Sequence, residues 1–151
     1  MSETDSITYV SGDITRNRAE LLVNTVNTVG VMGKGVALAF KTAWGDAVMR
    51  PYRQACQSGA LRPGGCLLFP LPDGRRWAAL ATKADWRHPS QISWVETGLR
   101  ELARLARQAN IHTIALPPPG CGNGGLAWED VHPLVLRELQ GFSLHIYARR
   151  P

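Results

Sequence analysis

Short apolar runs alternate along the chain with stretches whose apolar residues recur at helical spacing. Ile7-Thr8-Tyr9-Val10 reads as a short strand closed by Ser11-Gly12-Asp13. A second strand spans Glu20 to Thr25, and its run Leu21-Leu22-Val23 marks a position buried on both faces of a sheet. Glycines 30, 33 and 35 then punctuate a loop, followed by predicted helices over Val36–Ala43 and Gly45–Cys56. Gly64-Gly65 leads into a strand at Cys66–Phe69, and Asp73-Gly74 predicts a hairpin turn into a strand from Arg76 to Leu80. Residues 91–109 carry the clearest helical pattern, with Ile92, Val95, Leu99, Leu102 and Ala106 on one face. Ser90 is the expected N-cap of that helix and Asn110 its terminator. Thr113 to Leu116 reads as a buried strand that runs into Pro117-Pro118-Pro119 and a second glycine-rich loop, Gly120 to Gly125. A last helix carries Val131, Leu134, Val135 and Leu139, with Asp130 as its expected cap and Pro133 in its first turn. Ser143 to Ala148 closes the chain as a strand.

Strands alternating with helices, with one hairpin mid-chain, predict an α/β domain with a mixed sheet and helices on both faces. In such sheets ligands bind at the carboxyl ends of the strands, and both glycine-rich loops directly follow strands. A length of 151 residues predicts one domain, residues 1–151. With 44% hydrophobic and 19% charged residues the chain is not of the disordered class. No apolar run approaches the ~18–20 residues of a membrane span. Met1-Ser2-Glu3-Thr4-Asp5 is polar and acidic, unlike a signal peptide, so a cytoplasmic location is expected. Cys56, Cys66 and Cys121 are widely spaced with no C-x-x-C, so reduced thiols are expected and no metal site. The formal net charge is +5, and only Lys34, Lys41 and Lys83 are lysines. Such an arginine-rich balance fits an anionic partner such as nucleic acid and equally a solvated basic surface.

Four segments carry candidate chemistry. Val23-Asn24-Thr25-Val26-Asn27 delivers two asparagines into Gly30-Val31-Met32-Gly33-Lys34-Gly35-Val36, a glycine loop opening a helix. Such a loop lets backbone N–H groups and a helix N-terminus approach a phosphate; a tight turn would also use the glycines. It has neither the G-K-[ST] ending of a Walker motif nor the G-x-G-x-x-G spacing. Pro119-Gly120-Cys121-Gly122-Asn123-Gly124-Gly125-Leu126 holds four glycines in six residues, and the two loops together suit a pyrophosphate. Asp13, before Ile14, is either an acceptor for an exocyclic amine or a turn cap. Thr82-Lys83-Ala84-Asp85-Trp86-Arg87 places a scarce lysine at a strand end, either as a solvated side chain or as an amine nucleophile.

Taken jointly these motifs resemble the macrodomain family, and in particular its DarG branch, nearly end to end. The resemblance implies a three-layer α/β/α fold with a mixed, roughly six-stranded sheet. It implies an ADP-ribosyl hydrolase that removes ADP-ribose from thymidine bases of single-stranded DNA, the antitoxin to a DarT-type toxin. Carried over by position, Asp13 with Ile14 would hold adenine, and the loops 30–36 and 119–126 would hold the diphosphate. Asn27, helped by Asn24, would bind the distal ribose, and Lys83 would be the catalytic amine. The basic surface would hold DNA through phosphate contacts, with Arg87 part of it and Trp86 either a stacking platform for a base or a core-packed indole; no metal or redox cofactor and a monomeric protein are expected. The Lys34 position carries an acid in some hydrolytic relatives, so a carboxylate mechanism does not transfer. Hydrolysis of ADP-ribosylated glutamate in proteins, and ADP-ribose binding without turnover, are the alternative readings.

Overall fold

The computed structural model describes residues 6–151, and the acidic stretch 1–5 lies outside the described residues. The strands are β1 (Ile7–Tyr9), β2 (Leu21–Asn27), β3 (Cys66–Pro70), β4 (Arg76–Lys83), β5 (Thr113–Leu116) and β6 (Ser143–Ile146). The helices are α1 (Gly35–Trp44), α2 (Asp46–Ser58), α3 (Ile92–Gln108) and α4 (Trp128–Glu138). The strands form one mixed sheet in the order β1-β6-β5-β2-β4-β3. Only the β3–β4 pair, the hairpin at Asp73-Gly74, is antiparallel.

The period of two along a strand sorts the core into two layers. From β2 and β4, Leu21, Val23, Ala78 and Leu80 join Val95, Leu99 and Leu102 of α3 and Val131 and Val135 of α4. The intervening Leu22, Val26, Trp77, Ala79 and Ala81 face the other way, onto Phe40 of α1 and Val48 and Tyr52 of α2. The apolar run in β2 is thus buried on both faces. β5 and β4 flank β2, and from there the sheet extends in opposite directions. The carboxyl ends of β2, β4 and β5 therefore frame a crevice at the switch point, where α/β sheets bind ligands.

Two predicted caps are corrected. Gln91, not Ser90, precedes α3, and it makes no side-chain cap bond. The Ser90 N–H instead donates to the Gly124 carbonyl (2.9 Å), which turns the residue under the second glycine loop. Ala127 caps α4, so Asp130 lies inside the first turn, where its charge favours the helix dipole. Pro133 accordingly falls in the second turn. Asn110 does end α3, with a left-handed φ of 56°. β2 and β4 both outrun the predicted strands because they pair with each other to Asn27 and Lys83. β6 stops at Ile146, and Tyr147 N–H reaches past it to the Leu116 carbonyl (2.9 Å).

Candidate functional site

A cavity of about 580 Å³ opens at the carboxyl ends of β2, β4 and β5. Its walls take Asn27, Val31, Gly33, Gly35 and Val36 from the first loop, with Lys83 and Trp86 from the end of β4. Gly120, Cys121, Gly122, Asn123 and Gly124 complete it from the second loop. Two glycine loops far apart in sequence are thus joined in one cleft. A Cβ on Gly35 would stand 3.4 Å from the Asn123 amide nitrogen, so the loops meet side by side.

The first loop is built around Asn27. Its Oδ1 accepts from the N–H groups of Val29 (3.1 Å), Gly30 (3.1 Å) and Val31 (3.3 Å), and its Nδ2 donates to the Val31 carbonyl (2.8 Å). The buried Tyr52 hydroxyl donates to the Asn27 carbonyl (2.7 Å) and Oδ1 (3.0 Å), and burial raises its pKa. The asparagine therefore folds the loop and keeps one amide hydrogen uncommitted among the described residues. No side chain caps α1 at Lys34, so its first N–H groups find no acceptor among the described residues where Gly35, Val36 and Ala37 line the cleft. Across the cleft, the second loop makes a short 3-10 turn at Gly122–Gly124. Its Gly122 and Asn123 N–H groups find no acceptor among the described residues. The arrangement can receive an anion between two sets of unpaired N–H groups.

Lys83 Nζ donates to the Asn123 carbonyl (2.9 Å), and the Trp86 carbonyl lies at 3.5 Å. Asp85 does not approach Lys83 Nζ; it forms a fork with Arg87 at 2.9 and 2.6 Å. Those bonds hold the Asp85 carboxyl well below the usual carboxylate range. Cys121 lines the cleft as a thiol, pushed up to about 11 by burial and by Glu129 and Asp130.

Some sequence-assigned residues lie off the cavity wall. Asp13 caps the 3-10 turn Ile14–Arg16, its Oδ1 accepting from Thr15 N–H (2.9 Å) and Oγ (2.7 Å), and those bonds lower its pKa. The Asp13 Oδ2 atom has no partner among the described residues. Ile14 and Met32, the latter within the first loop, pack in the α1–α2 core. Asn24 is wholly buried with its Nδ2 on Met32 Sδ (3.7 Å) and does not line the cavity. Gly30, Arg87, Pro119, Gly125 and Leu126 do not line the cavity. Thr25, Thr82, Ser90 and Pro117 line the cavity unassigned by sequence. Thr25 was legible two residues before Asn27 on the same strand. Ser90 was hidden by its resemblance to a cap, and its buried Oγ has no partner among the described residues.

A switch-point cleft between two glycine loops on a mixed six-stranded sheet defines a class of nucleotide-binding fold. The chain belongs to the macrodomain family: the family model "Macro domain" matches residues 23–135. A "DNA ADP-ribosyl glycohydrolase" of Thermus aquaticus is 42% identical over 145 residues, 92% of this chain and 40% of the relative. The macrodomain of Mycobacterium tuberculosis DarG superposes with a TM-score of 0.88 at 40% identity, covering 97% of this chain and 99% of that one. Thermosipho africanus DarTG in complex with ADP-ribose superposes with a TM-score of 0.87 at 32% identity, covering 100% of this chain and 44% of that one. The chain spans about two fifths of the curated glycohydrolases it matches, 40% in the Thermus case.

Proposed function

We propose that this chain removes ADP-ribose from thymidine bases of single-stranded DNA and so reverses a DarT-type DNA ADP-ribosyltransferase. The observation that carries the reading is Lys83 Nζ at the wall of a cleft bounded by two glycine loops. The names of the glycohydrolase relatives support the substrate class, and the DarTG relative supports the partner. In this reading the chain acts as a single, monomeric macrodomain in the cytoplasm.

The first-turn N–H groups of α1 and those of Gly122 and Asn123 take the diphosphate, and Lys34 adds positive charge at the same wall. The free oxygen of Asp13 accepts from the adenine amine beside Ile14. The spare amide hydrogen of Asn27 meets the distal ribose. Binding energy from these remote groups orients the reacting sugar. Lys83, as a neutral amine released from the Asn123 carbonyl, bonds through Nζ to the anomeric carbon while the bond from that carbon to the base breaks. The departing base takes up a proton that Nζ gives up as it bonds, and the last Nζ hydrogen passes to the ring oxygen as the sugar opens. Ring opening gives an imine, and water hydrolyses it to free ADP-ribose and the original amine. No metal or redox cofactor enters the scheme.

The deciding experiment incubates the protein with ADP-ribosylated single-stranded DNA and follows free ADP-ribose. Release with restoration of the unmodified base is expected. Release only from ADP-ribosylated glutamate would move the substrate to protein, and tight binding without release would make the chain a reader.

A further inference from the structure

Beyond Lys83 a turn, closed by His88 N–H on the Asp85 carbonyl (3.1 Å), carries three residues to the lip of the cleft. Asp85 grips Arg87 three times: Nε to Oδ1 at 2.9 Å, Nη2 to Oδ2 at 2.6 Å, and the Arg87 backbone N–H to Oδ1 at 2.9 Å. The grip fixes the guanidinium plane, whose Cζ lies 5.5 Å from the centroid of the Trp86 ring. Trp86 is 50% exposed and lines the cleft, and the Arg87 side chain is 63% exposed. The fork with Asp85 uses two of the five guanidinium N–H donors and leaves the others open.

We infer that Asp85 is a positioning residue, holding Arg87 and Trp86 as a preformed platform for an unpaired nucleotide of the DNA strand beside the modified base. The inference rests on the DNA reading above and names the residues that hold the strand at the lip of the ADP-ribose cleft. An exposed indole offers a face on which any base stacks. The remaining Arg87 donors suit the adjoining phosphate. An unrestrained arginine would have to be ordered at the moment of binding, and the carboxylate fork removes that cost beforehand. Asp85 stays ionised at neutral pH because the Arg87 bonds hold it low, so it carries no proton for the reaction.

The sign of one effect separates this role from that of a plain surface ion pair. Counting charges alone, removing the Asp85 carboxylate tightens DNA binding. If Asp85 positions the platform, removing it loosens binding. The test compares wild type, Asp85→Ala, Trp86→Ala and Arg87→Lys, the last keeping the charge but losing the fork. Anisotropy of a labelled, unmodified oligothymidylate reads affinity without turnover, and an abasic oligomer of equal length serves as control. All three variants should bind oligothymidylate about three- to tenfold more weakly, the scale of one lost stacking contact. The abasic oligomer should bind wild type and Trp86→Ala within about twofold of one another, since it has no base to stack. For Asp85→Ala and Arg87→Lys, whose side chains stand off the cleft wall, the KM on ADP-ribosylated DNA should rise by the same factor with kcat unchanged, and calorimetric affinity for free ADP-ribose should not move. Unchanged or tighter oligothymidylate binding by Asp85→Ala, or full affinity in Arg87→Lys, overturns the inference. A wild type that grips oligothymidylate through Trp86 yet releases no ADP-ribose refutes the hydrolase reading while leaving the platform in place.

Discussion

Asn27 stands opposite Lys83 because the pairing of β2 with β4 slips at its last step, from Val26 opposite Ala81 to Asn27 opposite Lys83. The extra residue is Thr82, which lines the cavity, and Thr28 N–H closes the slip on the Lys83 carbonyl (3.1 Å). Bulges of this kind re-aim side chains beside active sites. Here the slip brings the loop-folding asparagine and the one amine of β4 to the same edge of the cleft.

Lys83→Ala is expected to keep ADP-ribose affinity and lose turnover by orders of magnitude, because a lost nucleophile shows in the chemical step. Lys83→Arg should be equally inactive, since a guanidinium stays charged. Borohydride should trap an ADP-ribosyl adduct on the wild type and none on Lys83→Ala. Full turnover by Lys83→Ala on modified DNA would remove the amine from the mechanism.

Tyr52→Phe deletes the hydroxyl that holds Asn27 by its carbonyl and Oδ1. It should cost about 1–3 kcal/mol of stability, the scale of a buried partner left unsatisfied. ADP-ribose affinity should fall with it, because Asn27 carries the loop. Thermal unfolding and calorimetry on one preparation check both; a normal melting temperature with lost binding would place Tyr52 against the ligand instead.

The glycines differ in what they tolerate. Gly120 has a φ of 75°, and a Cβ there would stand 2.6 Å from Leu126 Cδ1 and 2.9 Å from Val95 Cγ2. Gly120→Ala should destabilise by about 1–3 kcal/mol, as overpacking does. A Cβ on Gly33 meets nothing closer than Val31 Cγ1 at 3.7 Å, so Gly33→Ala should fold normally. Gly33→Glu should fold and lose ADP-ribose through charge repulsion; unchanged affinity in a titration would move the diphosphate away from this loop.

Asp13→Ala should weaken ADP-ribose by about 1.5–3 kcal/mol, as for a hydrogen bond to a charged acceptor. Ribose phosphate, which lacks adenine, should bind as before. Equal losses for the two ligands would leave Asp13 only its bonds to Thr15.

Glu20 accepts from His112 N–H (2.8 Å), Thr113 N–H (3.0 Å) and Thr113 Oγ (3.3 Å), tying the start of β2 to the start of β5. The His112 N–H, followed by those of Thr113, lowers its pKa from the ordinary 4.5. A lowered carboxylate lends stability above the unfolded value and loses it as pH falls through the folded one. Glu20→Gln should therefore melt earlier than wild type at pH 7, with the gap closing below about pH 4.5. A gap constant with pH would show that the charge of Glu20 contributes nothing.

The sequence by itself determined the element order, the mixed sheet and the two glycine loops. The continuous apolar run Leu21-Leu22-Val23, buried on both faces, and helical spacing through 95–106 are local patterns, set by which faces a residue must hide; Ile92, at the head of that pattern, stays exposed. Asp73-Gly74 and Asn110 were legible for the same reason, since turn chemistry acts within a few residues. Only the tertiary structure decided what the polar residues do. Asn24 and Asn27 look alike in sequence, yet one is sealed beneath Met32 and the other folds a loop, because strand alternation and the slip at Thr82 send them to different places. Ser90 has the chemistry of a cap but is claimed by Gly124, and Asp85 is claimed by Arg87. The joining of loops 30–36 and 119–126 needs β5 and β4 to flank β2, a pairing of segments far apart along the chain. No local pattern encodes that adjacency; it follows from the packing of the whole sheet.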